Sequence, residues 1–436
     1  MKRRFIGNLG LMAGLGSVVL GASTNEASDS PPASLPLEAL VREALEQNPE
    51  LKFYQAEIAA AKAGRKTAGL PANPELRGSL GQKTVRGSGS GMNGEGVAWS
   101  VSMAQPFEWP GRIGLRKAIA NRDVELAELG LERFRAALQG RVRTRAFGLF
   151  AAREKAAAAR EVADRFQALR EVLVQRDPAG LTPLLETRVI EATELTMQRK
   201  ASEATLAAQA ALLELNQLRG VEANAPLAIA PPSLVFRPAA GEEALVALAR
   251  TNNFELRLRA VELAQQGFRV ELAKNERFPS LSIGPLISEE RASDRERVIG
   301  VGVSLPLPLW NRNGGNIEAA GARQRQAEVS LTVLRREVER KVIEATLSYE
   351  AKLREMAKWR PDSVQHFQEA AELADRHYRL GAVPIATYVE LQKQYLEAVE
   401  SLLDTRKEAL EAGTQLEALA GLPLPLASTK PAEEKR

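Results

Sequence analysis

Chemistry on a protein needs nucleophiles, proton carriers or metal ligands, and this sequence is short of all three. Among its 436 residues there are no cysteines and two histidines, His366 and His377. A thiolate nucleophile, a disulfide framework, a thiolate metal site and a lipidated N-terminal cysteine are excluded. The two histidines lie close to three helical turns apart, so they share a helix face at a separation of about 16 Å. Joint chelation would need both nitrogens within ~2.1 Å of one ion. Six methionines, with no clustered run, offer no soft-ligand site either. No histidine–serine–aspartate arrangement, phosphate-cradling glycine loop or zinc spacing is present. The sequence predicts neither an enzyme nor a bound cofactor.

What remains is architecture. Hydrophobic residues make up 44% of the chain and aromatics only 5%. That balance, rich in Ala, Glu, Arg and Leu, favours long helices with narrow apolar seams over a bulky core. Charge is nearly balanced at a formal +4, with Lys2, Arg3 and Arg4 supplying three of the basic groups. No basic stripe interleaved with aromatics is present, so nucleic acid is not an expected partner. The basic start precedes an apolar run from Ile6 to Leu20 and then Gly21, Ala22 and Ser23. The run is shorter than the ~20 residues a membrane-spanning helix needs and reads as a signal peptide over 1–22. A Ser/Pro-rich flexible tail over 23–36 follows.

The strongest signal is internal repetition. Glu38-Ala39-Leu40-Val41 recurs as Glu243-Ala244-Leu245-Val246, and Asn48, Glu50 and Leu51 fall in register with Asn253, Glu255 and Leu256. Pro74 and Leu76 match Pro279 and Leu281, Pro106 and Trp109 match Pro306 and Trp310, and Gly180 and Pro183 match Gly381 and Pro384. Leu218-Arg219-Gly220 matches Leu419-Ala420-Gly421. A constant offset of roughly 200 to 205 residues marks a duplicated unit. The reading is a first repeat over 37–220, a linker over 221–241, a second repeat over 242–421 and a C-terminal tail over 422–436.

Each repeat has one plan. In the first, a short helix at about Leu37–Gln47 leads into a second at about Glu50–Leu70, closed by Gly69 and Pro71. A β-hairpin at about 74–105 comes next. A very long helix at about Gly111–Gln175, a turn at Asp177-Pro178-Ala179-Gly180 and a returning helix at about Pro183–Leu218 complete the unit. The second repeat has its hairpin at about 280–305 and its long segment from about Asn316 to Tyr378, interrupted at Pro361, where an i→i−4 bond is lost. Leu331, Leu334, Val338, Val342, Ala345, Tyr349, Leu353 and Met356 recur every three or four residues, a seam near the coiled-coil period. A helix of about 65 residues spans roughly 95–100 Å, and the two shorter helices together reach nearly as far. They can therefore stack end to end along the long one, which makes a tube wall.

The hairpins alternate with period 2. Val97, Trp99, Val101 and Met103 oppose Ala98, Ser100, Ser102 and Ala104, and Ile299, Val301, Val303 and Leu305 oppose Gly300, Gly302 and Ser304. Apolar-out, small-or-polar-in segments near ten residues suit a membrane barrel, although an ordinary hairpin packed on helices alternates equally well. Four strands cannot close a barrel, since open edges in lipid leave backbone groups unpaired. Three copies would supply twelve strands.

On this duplicated helix–hairpin–helix plan the chain resembles the outer-membrane efflux factor (TolC-like) family from about Leu35 to Leu422. The stretch Pro306-Leu307-Pro308-Leu309-Trp310-Asn311-Arg312-Asn313-Gly314-Gly315 resembles its heavy-metal efflux (CzcC-like) branch. Ala72-Asn73-Pro74-Glu75-Leu76 and Gln105-Pro106-Phe107-Glu108-Trp109-Pro110-Gly111-Arg112 fit that branch too. The resemblance implies a mostly α fold with a small β part: a duplicated helical-hairpin tunnel in the periplasm and a barrel in the outer membrane, shared by three chains at four strands each. It implies a homotrimer that contacts outer-membrane lipid, a periplasmic adaptor (membrane fusion) protein and an inner-membrane resistance-nodulation-division pump. The implied function is a passive exit duct for divalent heavy-metal cations. The same channel exporting drugs or other small molecules is the alternative cargo, and a periplasmic coiled-coil adaptor or scaffold is the alternative class.

By the same resemblance, the adaptor would dock at the tips, Ala179-Gly180-Leu181 and Arg379-Leu380-Gly381-Ala382. Helix-ending glycines with positive φ account for Gly180 and Gly381 without any docking role. An acidic pore ring places Glu390 first and Glu186 second among gate candidates, whereas Thr387 stands where the family pattern expects a second acid. Three carboxylates on a threefold axis would attract cations. Trp99 and Trp109 suit an aromatic girdle. Trp109, Pro110, Gly111, Trp310, Asn311 and Arg312 are expected to form the corners where strand becomes helix, with Trp310 packed there.

Overall fold

The computed structural model describes residues 34–86, 94–176, 184–232, 234–292, 294–360 and 362–429. The expected signal peptide, most of the expected tail, the expected tip residues Ala179, Gly180 and Leu181, and Pro361 lie outside the described residues. The first repeat contains α1 (Leu37–Gln47), α2 (Glu50–Ala68), β1 (Glu75–Val85), β2 (Gly94–Phe107), α3 (Arg112–Arg176) and α4 (Leu184–Arg219). After β3 (Leu234–Phe236), the plan recurs as α5 (Glu242–Asn252), α6 (Phe254–Asn275), β4 (Leu281–Arg291), β5 (Arg295–Ser304), α7 (Gly314–Met356), α8 (Ser363–Arg379) and α9 (Ile385–Ala420). A last strand, β6 (Ala427–Thr429), pairs antiparallel with β3.

The 65-residue α3 spans roughly 97 Å at 1.5 Å per residue. It packs on α4, α2 and α1 of its own repeat and on α6 and α9 of the other. The contacts are seams of small and medium side chains. Phe147, Ala151, Ala158, Ala159, Val162 and Phe166 of α3 meet Ile190 and Met197 of α4 and Tyr388, Leu396 and Val399 of α9. In the second repeat Val338, Val342, Ala345 and Tyr349 are buried, and Leu331, Leu334 and Leu353 pack on them, following the period read in the sequence. Where α3 is one helix, its counterpart is two: α7 ends at Met356 and α8 begins at Ser363.

The repeated asparagines explain how the shorter helices stack. Asn48 lies between α1 and α2; its Nδ2 donates to the Leu218 carbonyl at the end of α4 (2.8 Å), and its Oδ1 accepts the Glu50 N–H (2.9 Å). Asn253 does the same: Nδ2 to the Leu419 carbonyl at 2.8 Å, and Oδ1 to the Glu255 and Leu256 N–H groups at 3.0 and 3.1 Å. One amide caps the end of one helix and the start of another, satisfying groups that helix ends leave open. Both asparagines are buried. The returning helices stop at Gly220 and Gly421 with φ of +73° and +72°. A Cβ on Gly421 would fall 2.1 Å from the Asn252 carbonyl oxygen.

The repeats diverge beside this junction. Asn216 donates to the carbonyls of Ala223 and Ala225 and accepts from Arg219, which also forks onto Glu43. In the second repeat Glu417 accepts the Leu424 N–H and pairs with Arg143 of α3 at 3.3 Å. The β3–β6 ribbon, which the sequence reading passed over as linker and tail, is tied to α7 by Tyr349. Its hydroxyl lies 2.8 Å from the Arg237 carbonyl and 3.0 Å from that of Leu426.

Gly421→Ala is expected to lower the unfolding midpoint strongly, because its Cβ meets backbone at a φ that only glycine adopts without strain. Gly64→Ala on α2, with nothing within 4 Å of the new atom, should be neutral or stabilising by up to about 1 kcal/mol. Thermal unfolding of the two variants, followed by circular dichroism, checks the contrast.

Candidate functional site

The four long strands form one antiparallel sheet in the order β1-β2-β4-β5. Register fixes which side chains share a face. Leu76 faces Met103, Leu80 faces Trp99, Val101 faces Ile287, and Ile299 and Val301 face Ile287 and Pro285. One face of all four strands is therefore an apolar belt, and it is uncovered: Ile299 is 72% exposed, Val301 70% and Val303 66%. The opposite face carries Ser79, Ser100, Ser102, Ala98, Ala104, Ser282, Ser288, Gly300, Gly302 and Ser304, with Val85, Leu286 and Val298 among its apolar exceptions. Ser79 and Ser100 hydroxyls meet across it at 2.8 Å. β1 and β5 are the outer strands of the sheet, each paired on one side only. No helix among the described residues is long and apolar enough to cross a membrane.

The corners beneath the sheet join the two repeats. Gly111, at φ +88°, turns the chain into α3 so that Arg112 is its first residue. Arg112 then reaches across to the end of α6 and the start of β4. Its Nε donates to Asn275 Oδ1 (3.0 Å), Nη1 to Ser280 Oγ (3.1 Å), and Nη2 to the carbonyls of Asn275 (3.1 Å) and Phe278 (2.6 Å). Asn275 Nδ2 answers by donating to the Pro110 carbonyl at 3.0 Å. Trp109 stacks on Phe278 with centroids 4.6 Å apart. A guanidinium at the C-terminal end of α6 also suits that helix's dipole.

The second corner is built differently. Asn311 Oδ1 accepts the Asn313 N–H, Asn313 adopts φ +62°, and its Nδ2 donates to the Ala273 carbonyl at 2.8 Å. Trp310 does not pack there: it is 94% exposed, next to exposed Leu307 and Leu309, and Arg312 is exposed too. Pro306 and Pro308 fix φ on either side of Leu307, the Leu309 N–H donates back to the Leu307 carbonyl at 2.9 Å, and the three apolar side chains stand off the chain's own surface.

At the far end, α8 closes on Gly381 (φ +73°), with the Gly381 N–H donating to the Tyr378 carbonyl and the Ala382 N–H to that of His377, both at 2.9 Å. Arg379 pairs with Asp375 at 2.9 Å, and Leu380 and Ala382 stand exposed. Glu186 lines a cleft of about 460 Å³ with Leu169, Tyr378, Gly381, Pro384 and Ile385. Behind it Tyr388 stacks on Tyr378 and meets Phe166 edge-on. Burial pushes both tyrosine hydroxyls above their ordinary range, and Glu186 adds to the effect at Tyr378. Glu390 is not part of this cleft. It is exposed on α9 and accepts from Gln394 at 2.9 Å. Among the described residues no group of three His, Asp or Glu side chains is placed to hold a metal ion.

This chain matches the outer membrane efflux protein family over residues 40–221 and 245–422, once for each repeat. It belongs to that family. The efflux fold is shared with the solved structures of CusC (17% identical, TM-score 0.69, covering 89% of this chain and 92% of that one) and of CmeC from Campylobacter jejuni (16%, 0.72, 88% and 85%). Among named relatives, the pyoverdine export outer membrane protein OpmQ of Pseudomonas aeruginosa is 26% identical over 88% of this chain and 85% of its own length. The cobalt-zinc-cadmium resistance protein CzcC of Cupriavidus metallidurans is 26% identical over 66% of each chain. The nickel-cobalt-cadmium resistance protein NccC of Alcaligenes xylosoxydans is 26% identical over 74% of this chain and 71% of its own. Membership sets aside the coiled-coil adaptor reading. An efflux family channel is a conduit without catalytic chemistry, its strands in the outer membrane and its helices in the periplasm.

The Arg112 clamp escaped the sequence reading, although Gly111-Arg112 stood inside a quoted motif, because its partners lie more than 160 residues away. Arg112→Ala is expected to destabilise the channel by on the order of 2 kcal/mol, since two carbonyls and an asparagine lose a charged donor. Arg112→Lys should recover little, because an ammonium cannot fork onto four acceptors. Thermal unfolding in detergent measures both.

Proposed function

We propose that three copies of this chain form a passive duct through the outer membrane and periplasm that discharges divalent heavy-metal cations. An inner-membrane, proton-driven resistance-nodulation-division pump and a periplasmic adaptor would deliver them. The observation that carries the channel reading is the four-stranded sheet with an uncovered apolar face and one-sided outer strands. In lipid such a sheet requires neighbours at both edges. Twelve strands from three copies meet that need at an ordinary barrel size.

The metal cargo is favoured by CzcC and NccC, whose names concern cobalt, zinc, cadmium and nickel. The Pro306–Gly315 stretch, which resembles that branch, points the same way. In this reading the adaptor docks at Arg379, Leu380, Gly381 and Ala382, and at Ala179, Gly180 and Leu181. Glu390 and Glu186 would form the acidic constriction. Cation selection would fall to the pump. The second reading, an organic cargo, is favoured by OpmQ, which aligns over more of the chain than CzcC does.

Cell fractionation, an unboiled gel and a deletion strain test the proposal together. Outer-membrane recovery, a heat-sensitive trimer and lost tolerance to zinc, cobalt, cadmium or nickel are the expected outcomes. A trimer whose deletion leaves metal tolerance unchanged but blocks export of an organic molecule would overturn the cargo. A soluble monomer would overturn the channel.

A further inference from the structure

The outer end of the β4–β5 hairpin holds a charge cluster that the duct does not use. Glu289 has a side chain only 2% exposed, and three guanidiniums converge on it: Arg291 at 2.7 Å, Arg295 at 2.8 Å and Arg297 at 2.9 Å. Each arginine remains more than half exposed. One carboxylate satisfies a few of their N–H groups; the rest of the five donors on each guanidinium point elsewhere.

Register puts the cluster on the membrane-facing side. Glu289 is two residues beyond Ile287 and opposite Arg297, which is two beyond Ile299; both therefore continue the apolar face. Trp99 sits directly across from Glu289 on β2, at the level expected of an interfacial aromatic. The acids of the opposite face, Glu290 and Glu296, are paired with Lys83 at 2.7 and 3.4 Å. On the cluster's own face the further acid is Glu95, two residues before Val97 on β2, and Asp294 lies in the turn. Against Glu289 alone, the three guanidiniums leave two positive charges at the cluster itself, although Glu95 and Asp294 bring the wider hairpin end to formal balance.

The hairpin end is also the end away from the periplasmic helices, so it meets the outer leaflet. We propose that Arg291, Arg295 and Arg297, pre-oriented by Glu289, bind the phosphate of an anionic lipid headgroup in that leaflet. Arginine forks match phosphate oxygens bidentately. A buried carboxylate that holds the forks in place reduces the ordering cost of binding. The inference rests on the outer-membrane channel reading.

The test uses the full detergent-extracted channel and its R291Q/R295Q variant, which leaves Arg297 to hold Glu289. The probes are lipid A with both phosphates, the same lipid without phosphate, and inorganic phosphate. The wild type should gain thermal stability from the phosphorylated lipid, with at least tenfold weaker apparent binding in the variant and no comparable response to the other two probes. An equal response to the phosphate-free lipid, or to inorganic phosphate alone, would overturn the lipid site. So would undiminished binding by the variant. If the variant does not assemble, the three-probe comparison on the wild type still decides the matter. Failure of the channel reading would be visible separately, as the absence of an outer-membrane trimer.

Discussion

A strand in hydrocarbon has no water to satisfy its backbone, so every amide must find a partner in protein. That constraint organises this molecule. Its sheet contributes four strands, β1 to β2 to β4 to β5, with the outer two paired on one side only, and its apolar face has no cover among the described residues. The helices then serve the sheet. They lead out of both hairpins through two corners, and the Arg112 clamp holds the first repeat's α3 against the second repeat's α6 and β4. A cross-repeat clamp at the base of the strands keeps two separate hairpins in one continuous sheet.

Duplication solves the second geometric problem, the length of the tunnel wall. Matching one long helix with shorter ones requires a joint where one helix ends and another starts, and such joints leave backbone groups open. Asn48 and Asn253 fill this role with a single buried amide each, and Gly220 and Gly421 permit the close approach. The repeats then diverge where their surroundings differ. Asn216 secures the segment after α4, while the corresponding Glu417 accepts from Leu424 and reaches Arg143. Burial raises the Glu417 carboxyl, and Arg143 opposes that shift.

Much of this was legible in the sequence because it rests on local or periodic signals. The offset between Asn48 and Asn253 exposed the duplication before any contact was known. Alternation along Val97–Met103 and Ile299–Leu305 gave the strand faces, and the seam from Leu331 to Leu353 gave the buried side of α7. What stayed hidden depends on distant partners. The strands run further than their alternation, to Val85 and Arg291, because the backbone ladder continues through polar, charged and glycine positions that carry no apolar period. The β3–β6 ribbon is too short to leave a period. Trp310 has the type expected of a packed corner residue, yet it stands 94% exposed after the Leu307–Leu309 turn, a placement that residue type alone does not reveal. Glu186 and Glu390 are both acids near a tip, yet only Glu186 lines the cleft beside Gly381.

The absence of cysteine in the sequence makes the central claim directly measurable. Single cysteines at Ile299, Val301 and Val303, and at Gly300, Gly302 and Ser304, can be labelled with an environment-sensitive fluorophore in the reconstituted channel. The account predicts alternation: the first set quenched by lipid-phase quenchers and shielded from aqueous ones, the second set the reverse. Uniform aqueous quenching along β5, with no alternation, would contradict a membrane-facing sheet.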